Sequence, residues 1–247
     1  MKKIIIFNWK MNPKTGQEAA ELFSAFKESA KSSSETEIIV CPPFLWLKEF
    51  AKETHSIKIG GQNCHWEISG AFTGEISAQM LAGAGANYVI LGHSERRHFL
   101  GETDDIINSK IKAALKAKLR PILCVGENRG EEMHIVLETQ LSRALKGLSV
   151  GQMKDLVIAY EPVWAVFSDE ASSPDSALSA NLFIKKILTK LYSRFLADRT
   201  PVVYGGSVNA ENAVDYILRS QMQGLLVGGA SLEKEEFSEI IQNVSRA

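Results

Sequence analysis

Leu156-Val157-Ile158-Ala159-Tyr160-Glu161-Pro162-Val163-Trp164-Ala165 reads as a buried strand that delivers one carboxylate and then stops. The run before Glu161 is continuously apolar rather than alternating, as in a parallel sheet covered on both faces. Pro162 fixes its own φ and drives Glu161 into extended geometry, so the carboxylate sits stiffly at the strand's C-terminal end. Val163 and Trp164 are too apolar for an ordinary solvated loop and suit a cover that excludes water from a general base. On this stretch alone, a core-edge Glu paired with a Lys or Arg is the alternative.

Similar runs recur on both sides of this one. Strands are expected at residues 3–7, 37–41, 57–61, 88–91, 121–125, 156–160, 202–204 and 224–227. Helical period fills much of the space between them. Residues 17–31 place Ala20, Leu22, Phe23 and Phe26 at helical spacings, and 104–117 place Ile106, Ile107, Ile111 and Leu115 on one face. Residues 177–196 and 211–218 read as helices too. Eight strands, each followed by a helix, predict an α/β fold, a single (β/α)8 barrel rather than an open sheet. Asn8-Trp9-Lys10 after the first strand is unlike the Gly-rich fingerprint of a doubly wound sheet.

A chain of 247 residues matches one such barrel, and no linker divides it; Ser32-Ser33-Ser34 and Ser172-Ser173-Pro174 are too short to be more than loops. One domain, residues 1–247, is expected. The 28 basic and 29 acidic side chains leave a net charge of −1, and the Lys and Arg are scattered, which argues against nucleic acid or a membrane surface as partner. The apolar run at 4–7 is too short for a signal peptide, and no run approaches the roughly 20 residues of a membrane span. Cys41, Cys64 and Cys124 lack metal-ligand spacing and cannot all pair, so a reducing cytoplasm is expected. Histidines at 55, 65, 93, 98 and 134 show no metal spacing, and no Ser occupies a G-x-S-x-G elbow. No metal is expected.

In a barrel of this kind the chemistry gathers at the C-terminal ends of the strands. Those ends carry Asn8 and Lys10; Gln62-Asn63-Cys64-His65-Trp66, with a long loop through Gly70-Ala71-Phe72-Thr73-Gly74-Glu75; Gly92-His93-Ser94-Glu95-Arg96-Arg97; Cys124-Val125-Gly126-Glu127; Glu161; Tyr204-Gly205-Gly206-Ser207-Val208; and Gly228-Gly229-Ala230-Ser231. His93 stands at a helix entry, which disfavours imidazolium and suits a neutral hydrogen-bond donor; a packed structural His is the alternative. Lys10 just past a buried strand needs a carboxylate such as Glu95 or an anionic substrate, unless it is a plain surface Lys. Glycine pairs after the seventh and eighth strands let backbone N–H groups cradle a phosphate.

Phe7-Asn8-Trp9-Lys10-Met11-Asn12, residues 70–75, 92–97, 124–127, 159–165, 204–208 and 226–232, in this order, resemble the triosephosphate isomerase family along essentially the whole chain. The resemblance implies cofactor-free interconversion of dihydroxyacetone phosphate and glyceraldehyde 3-phosphate. It implies Glu161 as the proton-transferring base and neutral His93 as the group that polarises the carbonyl. Lys10 and Asn8 would stabilise an enediolate, Glu95 would pair with Lys10, and N–H groups of Phe167, Ser207, Gly228 and Gly229 would hold phosphate. It also implies a homodimer through residues 70–75, with Thr73 reaching the Lys10 and His93 of a second copy.

The chain departs from the family pattern in places. Where the closing loop usually carries Gly-Thr-Gly-Lys, this sequence has Phe167-Ser168-Asp169-Glu170. Each added carboxylate could oppose a phosphate dianion by up to about 1 kcal/mol at a separation of roughly 8 Å in water. An Arg–Asp pair of the family becomes Lys185 and Gln223, and the segment Asn128-Arg129-Gly130-Glu131-Glu132 is shortened. An isomerase with slower or leakier loop closure is expected. Another sugar-phosphate isomerase or epimerase fits His93, Glu161 and Lys10 less well; a barrel that binds triose phosphate with weak or lost turnover is the second reading.

Overall fold

The computed structural model describes every residue except 1, 32, 34, 54, 55 and 169. Asp169, His55 and parts of the 32–34 serine loop therefore lie outside the described residues. Eight parallel strands close on themselves in chain order: β1 Lys3–Asn8, β2 Thr36–Cys41, β3 Ile57–Gly61, β4 Tyr88–Leu91, β5 Arg120–Val125, β6 Val157–Tyr160, β7 Val202–Tyr204 and β8 Gly224–Val227. β8 pairs with β1, Leu226 opposite Ile6, which completes the (β/α)8 barrel.

Period-2 alternation splits the strand residues between two cores. Ile4, Ile6, Ile39, Cys41, Tyr88, Ile90, Ile122, Cys124, Val157, Ala159, Val203 and Leu226 form one cluster, the filled lumen. Ile5, Phe7, Val40, Val89, Leu91, Leu123, Ile158, Val202 and Leu225 belong to the second, between barrel and helices. The strands are largely apolar because both of their faces are buried; Lys3, Asn8, Thr36, Glu37, Lys58 and Arg120 are the polar exceptions.

The helical layer follows the expected spacing with informative shifts. Gly16–Ala30, capped by Thr15 and Glu18 in a reciprocal box, buries Ala19, Phe23, Phe26 and Ala30, so Ala19 rather than Ala20 completes the stripe. Asp104–Lys116 turns Ile107, Ile111 and Ala114 fully inward, leaving Ile106 and Leu115 partly buried. The helix expected over 177–196 is two helices, Pro174–Leu191 and Arg194–Arg199. The break comes where Ser193, in extended geometry, accepts the Leu196 N–H and starts a new helix. The helix expected at 211–218 begins later, at Ala213. The last helix, Lys234–Arg246, buries Phe237 against Phe26, ring centroids 3.8 Å apart.

Candidate active site

The alternation that fills the lumen also sets its rim. Ile4 and Ile6 point inward on β1, so Asn8 follows on the same face; Val157 and Ala159 do so on β6, so Glu161 follows. On β7, Gly205 takes the next inward position, and a Cβ there would lie 2.9 Å from Glu161 Cγ. The rim has room for the base because Gly205 has no side chain.

Lys10 adopts φ 54°, a left-handed conformation uncommon outside glycine. Two contacts hold it there: its N–H donates to Asn8 Oδ1 at 3.1 Å, and its carbonyl accepts from Gln62 Nε2 at 2.8 Å. Lys10 Nζ lies 2.6 Å from Glu95 Oε1. Gln62 also donates to the Cys41 carbonyl, tying the β2 end to the β1 loop. Its role was invisible in sequence, where it is one polar residue in a long loop.

His93 is buried and caps the helix Ser94–Leu100, its Nδ1 accepting the Glu95 N–H at 3.2 Å. A ring nitrogen that accepts a hydrogen bond carries no proton, so this tautomer bears its proton on Nε2. That atom is 3.6 Å from Glu161 Oε1. Glu161 itself is only 1% exposed, and its Oε2 accepts the Ser94 N–H at 3.0 Å. Among the described residues its Oε1 has no hydrogen-bond partner. Burial, and then the charge of Glu161, pushes the Cys124 thiol well above its ordinary range, so a neutral S–H faces the carboxylate. Ser94 and Cys124 both stand in the quoted motifs, yet nothing in their spacing marks them as neighbours of the base.

Arg97, also unassigned from sequence, donates to the carbonyls of Gly92 and Cys124 at 2.8 and 3.1 Å and joins the β4 and β5 ends. Buried Lys110 meets Asn63 at 2.8 Å and Glu102, which also accepts from Arg96. These links fix the helix that His93 caps and that carries Glu95.

A cavity of about 390 Å³ opens over the rim, lined by Asn8, Lys10, His93, Ser207, Gly228 and Gly229 among others. The N–H groups of Ser207 and Gly228 donate to no protein group among the described residues, and Gly229, at the start of a 3-10 turn, has no intrahelical acceptor for its own. Donors without acceptors beside a lysine make an anion cradle. Glu161 does not line this cavity; its carboxylate points at Ser94.

Phe167 stands apart from the group. It ends the helical turn Val163–Val166, and its N–H donates to the Val163 carbonyl at 3.2 Å instead of facing the cavity. In this conformation it cannot contribute the phosphate contact that the family resemblance implied. Glu170 is paired with Arg129 at 2.7 Å, so its charge is partly answered locally. Glu127 accepts from Tyr160 Oη at 3.1 Å and from Trp164 Nε1 at 3.2 Å, anchoring the turn's start. Lys185 and Gln223 do not meet. Lys185 donates to the Ala197 and Thr200 carbonyls, whereas Gln223 accepts the Val202 N–H.

Among the described residues, no group of His, Cys, Asp and Glu could hold a metal ion, and no helix is long and apolar enough to cross a membrane. The family model for triosephosphate isomerase matches residues 3–244. A triosephosphate isomerase of Carboxydothermus hydrogenoformans is 46% identical, over 98% of either chain. Those of Aquifex aeolicus and Endomicrobium trichonymphae are 43% and 44% identical, each over 98% of this chain and 99% and 98% of their own.

Proposed function

Because this chain belongs to the triosephosphate isomerase family and is an isomerase of dihydroxyacetone phosphate and D-glyceraldehyde 3-phosphate, we propose that Glu161 carries the proton between the two carbons. The observation that carries this reading is a buried carboxylate standing 3.6 Å from His93 Nε2 across the barrel rim, beside an anion cradle. An enediolate is electron-rich, so fixed donors must face its oxygens while the base works on its carbons. His93 Nε2–H and Lys10 Nζ are those donors. Asn8 holds the Lys10 backbone, and Glu95 orients the ammonium. The phosphate sits on the N–H groups of Ser207, Gly228 and Gly229. Phe167 joins them only after its bond to Val163 breaks as the segment after Glu161 closes. Closing also brings Glu161 off Ser94 and excludes water, which protects the intermediate from losing phosphate.

The protein works as one domain, without a cofactor, in a reducing cytoplasm. The three buried free cysteines support that compartment. It is a homodimer through the loop that holds residues 70–75. Trp66 and Phe72 there are partly exposed; Trp66 stacks on His65 at 4.1 Å and Phe72 lies tilted against it at 4.3 Å. A groove of about 340 Å³ beside Lys10, lined by Met11, Phe44, Phe99 and Leu100, suits the same loop of a second copy.

The test is turnover of either triose phosphate by the wild type beside Glu161→Gln. The variant is expected to lose at least about 10²- to 10⁴-fold in kcat. A wild type that gains thermal stability from 2-phosphoglycolate yet shows no turnover would establish the binding-only reading instead.

A further inference from the structure

The side chain of Phe167 leaves the cavity and packs on the helix Ser94–Leu100. Its ring meets Phe99 edge to face, centroids 5.5 Å apart at 80°, and His98 at 5.6 Å. The first N–H of that same helix, at Ser94, holds Glu161. One short helix thus touches the base at one end and the tip of the closing segment at the other. On the opposite side, Arg129 pairs with Glu170 at 2.7 Å and lies over the Trp164 ring, 5.6 Å from its centroid. The closing segment is fastened on two sides while its Phe167 N–H is spent on Val163.

We propose that Phe99 and Arg129 are positioning residues for the lid. Phe99 receives Phe167, Arg129 receives Glu170, and both contacts must break before the lid can engage phosphate. The inference rests on the reading that this segment closes over a triose phosphate. An open state stabilised by a latch lowers apparent affinity for any ligand that needs the closed one. An edge-to-face aromatic pair biases such an equilibrium by roughly two- to tenfold. The Arg129–Glu170 pair, about two-thirds exposed on both sides, adds less and fades with salt.

The experiment is calorimetric titration of 2-phosphoglycolate into wild type, Phe99→Ala, Phe167→Ala and the double variant, with kcat and KM measured on each. Each single variant is expected to bind roughly two- to tenfold tighter, with a lower KM. The double variant should bind no tighter than the better single, because the two rings are one contact. Arg129→Ala should tighten binding by less, and only at low salt. Singles that bind no tighter, or gains that add in the double variant, overturn the latch. Phe99 also borders the groove assigned to a second copy, so sedimentation accompanies each variant. Phe99→Leu, which keeps the apolar volume without the ring, should tighten binding in the same direction. Absence of wild-type turnover would strike the isomerase reading, while turnover without tightening would strike the latch alone.

Discussion

Among the described residues one backbone N–H, that of Ser94, holds the buried Glu161 carboxylate, and a proline can remove that donor without breaking the helix that carries it. Ser94 is the first residue of its helix, where a proline fits, and the ψ of His93, 142°, lies in the range a following proline favours. Ser94→Pro should therefore cost about 1–3 kcal/mol, the penalty of leaving a buried polar group unpaired. A urea midpoint equal to the wild type's would show that this contact does not hold the base. Gly205 bears on the same carboxylate. A Cβ at this position meets Glu161 Cγ at 2.9 Å and Leu226 at 3.2 Å. Gly205→Ala should push the base off line and lower kcat by on the order of 10²-fold, as a misplacement of about 1 Å does. A kcat within twofold of wild type would count against the rim having been cleared for Glu161.

At the scale of elements, the helix broken at Tyr192 shows a local cap overriding an apolar period. The stripe continues past residue 191, but Ser193 offers a hydroxyl to the next turn and the helix restarts. Lys185 then finds its partners in the second helix and its C-cap, at the Ala197 and Thr200 carbonyls, and burial depresses its ammonium to about 8. The native chain sheds this proton near pH 8, while the unfolded chain keeps it to about 10.4. Between those values the unfolded state binds more protons, so this site's contribution to stability rises with pH. The melting temperature of wild type relative to Lys185→Gln should accordingly increase from pH 7.5 to 9.5. A difference that stays flat or falls would mean that the amine is not buried as described.

The closing segment belongs to this scale as well. Its unusual composition is plain in the sequence. The direction of its Phe167 N–H is not, because a turn that bonds back to Val163 and one that opens toward phosphate are both compatible with the same residues.

For the whole molecule, the apolar side chains around the mouth set an expectation about assembly. Met11, which lines the groove beside Lys10, is 93% exposed and Leu45 80%, and Trp66 and Phe72 are exposed as well. Phe72→Glu should shift sedimentation from two copies toward one at micromolar concentration and lower kcat at least tenfold. A wild type that sediments as one copy would refute the dimer.

The order of strands and the positions of Asn8, Glu161, Gly205 and Gly228 at their ends follow from the sequence alone. Continuous apolar runs specify a sheet buried on both faces, and a period of two carries the lumen-facing parity straight to the rim. Pro162 then fixes where β6 ends. Only the tertiary structure decides which groups meet across the rim: Ser94 with Glu161, Gln62 with Lys10, Lys185 with two carbonyls, and Phe167 with Phe99. The physical reason is that periodicity and propensity act between residues a few positions apart. These contacts join segments from different strands and helices, and their distances exist only once those elements have packed together.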